Sequence, residues 1–173
     1  YGFGELCNDA TVNSAGVGSL GNVADMPLDE WHRVIDIDLH GVFHACRAVI
    51  PLLRRRGGGS LVNIASLSGV RADYGFAAYN AAKAGVINLS RTIALDHAHE
   101  NIRATAVCPG YIATPLTAAA GSIDAIHNEW LQRIPLHRAG TAEEIADLIV
   151  FLLSPASSYI TGTEIVIDGG LGS

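Results

Sequence analysis

The chain has 173 residues, of which 49% are hydrophobic and 16% charged, and it carries a net charge of −6. That length suits one domain with its own core, and that hydrophobic content excludes a disordered chain. The acidic balance argues against a nucleic-acid binder, and no apolar run approaches the length of a membrane span.

In chain order, Ala10 to Asn13 is a short strand that runs into Ser14-Ala15-Gly16. Leu28 to Arg56 reads as one long helix, with Trp31, Val34, Ile35, Leu39, Val42, Phe43 and Cys46 at helical spacing. It ends in Arg54-Arg55-Arg56, a solvated end where cations suit the helix dipole, and Gly57-Gly58-Gly59 stops it. Ser60 to Ser66 alternates and is rich in β-formers, which predicts a strand. Ala77 to His97 is a second helix, with small and apolar residues from Ala78 to Ile93 on one face. Ile102 to Cys108 is the next strand, ended by Pro109-Gly110. The segment from Tyr111 to Arg138 is looser and is expected to cover a substrate. Thr141 and Glu144 form a capping box that opens a helix through Leu153. Glu164 to Ile167 is a last strand, closed by the turn Asp168-Gly169-Gly170. Strands separated by long helices imply parallel βαβ units, hence an α/β sheet with flanking helices.

The three cysteines, Cys7, Cys46 and Cys108, have neither metal nor redox spacing. A reducing, cytoplasmic setting is therefore expected, and no signal peptide is recognised. His40 and His44 share a helix face, but no third ligand has suitable spacing, so no metal is expected. His97 and His99 read as part of a solvated helix end, and Trp31 and Trp130 as packing groups. The run Gly16-Val-Gly18-Ser-Leu-Gly21 matches a dinucleotide phosphate-loop pattern. That mechanism needs a helix N-terminus at the third glycine. Here Asn22, Asp25 and Pro27 follow, and the helix begins no earlier than Leu28.

The chemistry concentrates around Lys83, the chain's only lysine, which follows Tyr79 by four residues. Such positions are neighbours on a helix face. An ammonium beside a phenol is expected to lower the phenol's pKa and make it an acid/base near neutrality. Working near pH 7 asks for roughly 4 kcal/mol of anion stabilisation. One charge about 4 Å away supplies about that much at an effective dielectric of about 20. Ser66 lies thirteen residues before the tyrosine. Alone, a Tyr-x-x-x-Lys pair is more often a packing pair; Ser66 and Pro109-Gly110 reverse that weighting.

Taken together, these segments resemble the short-chain dehydrogenase/reductase family. The resemblance rests on Val12-Asn13-Ser14-Ala15-Gly16, the helix from Trp31 to Phe43, Ile64-Ala65-Ser66, Tyr79-x-x-x-Lys83, Cys108-Pro109-Gly110-Tyr111-Ile112-Ala113-Thr114, and Ile160-Thr161-Gly162 through Gly170. Within the family the chain is most similar to 3-oxoacyl carrier-protein reductases and to sugar or secondary-alcohol dehydrogenases. The resemblance implies a Rossmann-type parallel sheet whose first three strands are missing, so that residues 1–173 are the C-terminal portion of one domain. It implies hydride exchange between NAD or NADP and a small carbonyl or secondary alcohol. Tyr79 would be the acid/base. Ser66 would hold the substrate oxygen, and Lys83 the nicotinamide ribose. Pro109 and Gly110 would lie against the nicotinamide, with Ile112 and Thr114 at its carboxamide side. Asn13, Ala15 and Gly16 would lie towards the adenosine half.

The sequence departs from the family pattern at two places. Asp38 stands where the family carries an asparagine whose backbone carbonyl binds a relay water leading to the lysine. The carboxylate is expected to hold Lys83 as an ammonium and to offset its pull on Tyr79. The glycine-rich phosphate loop and the residue that chooses NAD or NADP are also missing. These 173 residues are thus not expected to bind NAD(P) usefully by themselves, a longer encoded protein is expected, and Ala10 to Asn13 should form a sheet edge. The competing reading is a non-catalytic remnant that survives as an oligomer partner. The resemblance implies a homodimer or homotetramer, formed by pairing of the two long helices with their copies.

Overall fold

A computed structural model describes residues 9–115, 117 and 130–173. Strand β1 (Ala10–Asn13) leads through a loop to helix α1 (Leu28–Ile35), a π-helical turn (Asp36–His40) and helix α2 (Gly41–Arg56). Strand β2 (Gly59–Ile64), the short helix α3 (Leu67–Val70) and the long helix α4 (Ala77–His97) follow. Strand β3 (Ile102–Pro109), helix α5 (Ala142–Leu153) and strand β4 (Glu164–Ile167) follow, with 3-10 turns at Ala98–Glu100 and Pro155–Ser157. The strands lie in the order β1-β2-β3-β4, every neighbouring pair parallel. The expected parallel α/β architecture is present.

The period-two pattern of β2 and β3 explains the three layers. Leu61 of β2 and Ile102, Ala104, Ala106 and Cys108 of β3 face one side of the sheet. There they meet Val42, Cys46, Ile50 and Leu53 of α2 and Val86, Ile87 and Ile93 of α4. Val62 and Val107 face the other side and pack on Leu152 of α5. Residues such as Leu61 and Val62 are fully buried, each contributing roughly 1.5–3 kcal/mol relative to exposure. Parallel strands covered on both faces read as continuous apolar runs. On β1, by contrast, Val12 is 39% exposed, and among the described residues β1 pairs only with β2.

Most element boundaries match the sequence reading, and the differences fall beside the site. The helix from Leu28 to Arg56 is interrupted by the π turn, which carries the buried Asp38. It ends as expected, with Gly57 in the left-handed region at φ 85°. Strand β2 ends at Ile64 rather than Ser66. Ser66 instead caps α3, its Oγ accepting the Ser68 N–H at 3.2 Å. The capping box of α5 is complete, with Thr141 Oγ1 accepting the Glu144 N–H and Glu144 accepting the Thr141 N–H. Most of the segment expected to cover a substrate lies outside the described residues. Of its ends, Tyr111 stacks on Trp130 and Arg133 covers the same indole ring.

Candidate active site

Three consecutive crossovers bring the site together. Ser66 follows the C-terminal end of β2, Tyr79 and Lys83 lie one turn apart on α4, and Pro109 and Gly110 end β3. Parallel βαβ units leave their carboxyl-end loops on one rim, where open α/β sheets bind ligands. A cleft of about 460 Å³ opens there. Among its walls are Gly16, Ser66, Tyr79, Lys83, Ile112 and Thr114. Pro109 and Gly110 also line it.

Lys83 is almost wholly buried. Its Nζ donates to the Ile64 carbonyl at 3.2 Å and lies 3.3 Å from Asp38 Oδ2. It sits 5.5 Å from the centre of the Tyr79 ring. Asp38 is 0% exposed. Its Oδ1 accepts the Val17 N–H at 2.8 Å, whereas Oδ2 has no hydrogen bond. The contact between Lys83 and Oδ2 is therefore an ion pair held by distance alone. Asp38 reaches this interior because its π turn sits between α1 and α2 and packs on α4. A π turn within an α-helix often marks a functional position.

The expected lowering of the Tyr79 pKa by Lys83 is corrected by this arrangement. Burial pushes the phenol above its ordinary value. A side-chain hydrogen bond with Ser66 works the other way, and the Asp38 and Asp73 carboxylates add to the rise. The physical reason is first of all burial, which disfavours the phenolate. The ammonium beside the phenol is also paired with the Asp38 carboxylate at 3.3 Å rather than standing as a lone charge.

Close backbone approaches hold these side chains in register. A Cβ on Gly16 would lie 3.2 Å from both Asp38 Oδ2 and Lys83 Nζ. A Cβ on Gly69 would lie 2.6 Å from the Lys83 carbonyl carbon. Glycine at 69 thus lets α3 rest directly on the α4 backbone, and α3 carries Ser66 at its cap. Gly110 packs equally closely on Asp168 of the turn after β4, and its N–H donates to the Ile167 carbonyl at 3.0 Å.

The other expected site residues are distributed unequally. Thr114 lines the cleft beside Thr117. The Thr117 hydroxyl donates to the Ile112 carbonyl at 2.6 Å and accepts the Thr114 N–H at 3.0 Å. Asn13 turns inward instead, its Nδ2 donating to Asn63 Oδ1 at 2.7 Å, and Ala15 is exposed beside the cleft. No helix begins at Gly21, the third glycine of the Gly16–Gly21 run; α1 starts at Leu28. Gly21 pairs with the strand-like residues before α4, its N–H donating to the Gly75 carbonyl at 2.7 Å.

Gly69, Asn63, Asp73 and Thr117 were missed in the sequence. No local signal marks Asn63 or Asp73, whose partners are 50 and 5 residues away. Asp73 accepts a short hydrogen bond from Ser68. The Thr-x-x-Thr spacing of Thr114 and Thr117 is a turn signal that could have been read. Among the described residues no group of His, Cys, Asp and Glu is arranged to hold a metal ion, and His40 instead pairs with Asp36 at 2.8 Å.

The family model described as enoyl-(acyl carrier protein) reductase matches residues 3–172, and the chain belongs to the short-chain dehydrogenase/reductase family. Among its relatives is the 3-oxoacyl-[acyl-carrier-protein] reductase FabG of Chlamydia muridarum, 42% identical across 94% of this chain and 65% of the relative. Trans-4-hydroxycyclohexanecarboxylate dehydrogenase of Sinomonas cyclohexanicum is 43% identical across 97% of this chain and 61% of the relative. A gluconate 5-dehydrogenase from Burkholderia cenocepacia, solved in complex with NADP and tartrate, superposes with a TM-score of 0.91. It is 32% identical, over 94% of this chain and 64% of that one. The chain thus spans slightly less than two thirds of the length of these relatives.

Proposed function

We propose that the chain is the C-terminal portion of a single-domain NAD(P)-dependent oxidoreductase that interconverts a small carbonyl compound and a secondary alcohol. The observation that supports this reading most is the convergence of Ser66, Tyr79 and Lys83 on one cleft at the carboxyl ends of the strands. The cleft fits the nicotinamide end of the cofactor. Gly16 leaves open the space beside Lys83 that a side chain would fill, and Pro109, Gly110 and Ile112 give an apolar wall. Lys83 would hold the ribose, with Ile112 and Thr114 near the carboxamide. A bound nicotinamide would supply or accept the hydride.

The chain's own residues handle the proton and the oxygen. Ser66, capped on α3, donates to the substrate oxygen and fixes it beside the phenol. Tyr79 gives its proton to a carbonyl oxygen in reduction and takes one from a hydroxyl in oxidation. Asp38 and Ile64 hold Lys83 in place. Exposed Phe43, Leu52 and Leu95 on α2 and α4 support a further proposal, that these helices pair with their copies in a dimer or tetramer.

Tyr79→Phe in the full-length protein tests the reading. Turnover of a β-keto ester with NADH or NADPH is expected to vanish while circular dichroism and thermal unfolding stay those of the parent. A folded variant with near-parental turnover would exclude Tyr79 as the acid/base.

A further inference from the structure

We infer that Asp38 is a positioning residue that neutralises Lys83 at the floor of the cleft and thereby keeps Tyr79 in its proton-donating form. The inference rests on the reading of Tyr79 as the acid/base, and it concerns what the site is poised to do. Three observations carry it. Asp38 is entirely buried, so its carboxylate has no solvent to stabilise its charge. Its Oδ2 makes no hydrogen bond and lies 3.3 Å from Lys83 Nζ, so the ammonium is the charged group that compensates it. Its Oδ1 takes the N–H of Val17, which fastens the loop that carries Ser14 and Gly16 of the cleft wall to the same carboxylate.

The charges around Tyr79 come from each element packed about it. Lys83 lies one turn along α4, Asp38 on the π turn, and Asp73 on the loop that precedes α4. Arg33 of α1 feels the Asp38 field but is itself bidentate to Glu30. Cys108 of β3 is buried and its thiol is pushed up to about 11, leaving it uncharged near neutrality. Ser66 contributes a hydroxyl and no charge. Asp38 and Asp73 both oppose ionisation of the phenol. Among the described residues the one cation beside it is paired. With the pair intact, Tyr79 holds its proton more firmly than an ordinary phenol, in the form that can give it to a carbonyl oxygen.

Asp38→Asn separates charge from geometry. The amide keeps an oxygen to accept the Val17 N–H, removes the negative charge and places an NH2 group where Oδ2 faced Lys83. The ionisation of Tyr79 is read from ultraviolet difference spectra, each protein being compared with its own Tyr79→Phe counterpart, so that neither cofactor nor turnover is needed. Asp38→Asn is expected to move the Tyr79 titration to lower pH, and Lys83→Gln to move it to higher pH. The double variant is expected to titrate close to the parent, because it removes a pair that is neutral as a whole. In the full-length protein, the alkaline limb of kcat/KM for reduction moves to lower pH in Asp38→Asn. A Tyr79 titration unmoved by Asp38→Asn overturns the inference, as does a double variant displaced as far as either single one. If Asp38→Asn does not fold, the comparison of parent, Lys83→Gln and double variant still decides. If the titrations shift as expected but the parent has no oxidoreductase turnover, the proposed function fails and the electrostatic role of Asp38 stands.

Discussion

Replacing Gly69 with alanine is expected to push α3 away from α4 at the point where the site is assembled. The new Cβ would lie 2.6 Å from the Lys83 carbonyl carbon and 2.8 Å from both the Lys83 oxygen and the Ala84 nitrogen. These are backbone atoms inside α4, so no side-chain rotation relieves the contact. Reaching an ordinary separation of 3.4 Å asks α3 to retreat by about 0.8 Å, and overpacking of this kind costs roughly 1–3 kcal/mol. For a chain of this size that is a fall in Tm of roughly 2–12 °C. Ser66 caps α3, so the retreat also carries its hydroxyl away from Tyr79. A misplacement near 1 Å in a catalytic constellation costs about a hundredfold in rate. Thermal unfolding followed by circular dichroism measures the first effect, and kcat of the full-length protein the second. Val70→Ala is the control, since Val70 sits on the same helix with its side chain 47% exposed. If Gly69→Ala unfolds within about 1 °C of the Val70→Ala control, α3 does not depend on this close approach and the packing argument is wrong.

Thr141→Ala removes one half of the capping box of α5 and is expected to cost about 1 kcal/mol, seen as a Tm lower by about 2–4 °C; Thr141→Ser should restore most of it. Cys108 has its thiol pushed from 9 to about 11, mainly by burial. Below pH 9 its contribution to stability is intact, and it is lost as the pH rises towards 11, because the unfolded chain releases the proton first. Urea midpoints measured across that range should therefore fall less steeply for Cys108→Ala than for the parent. An equal slope would mean that the thiol does not titrate with unfolding. Light scattering at micromolar concentration should show a dimer or tetramer, and Phe43→Glu on α2 should shift it towards monomer. A monomeric parent would remove the proposal that the helices pair.

The elements, and the residue types that the cleft brings together, were legible in the amino-acid sequence, because local rules suffice for them. The β-former run of β2, the glycine stop at Gly57, the Thr141–Glu144 box and the Tyr79–Lys83 spacing each depend on residues within a few positions of one another. The same spacing misled about electrostatics. It showed an ammonium beside a phenol, and the expected result was an acidified tyrosine, with Asp38 expected only to offset part of that pull. Folding reverses that result, because the π turn buries Asp38 from 45 residues upstream against Lys83, and burial with two carboxylates raises the Tyr79 pKa. Gly69 is invisible in sequence for a related reason: its need for a missing side chain arises from the α4 backbone, brought there by the packing of α3 on α4. Periodicity encodes which face of an element is buried. It does not encode which charges the fold brings within about 4 Å of one another, and at a buried site those distances set the chemistry.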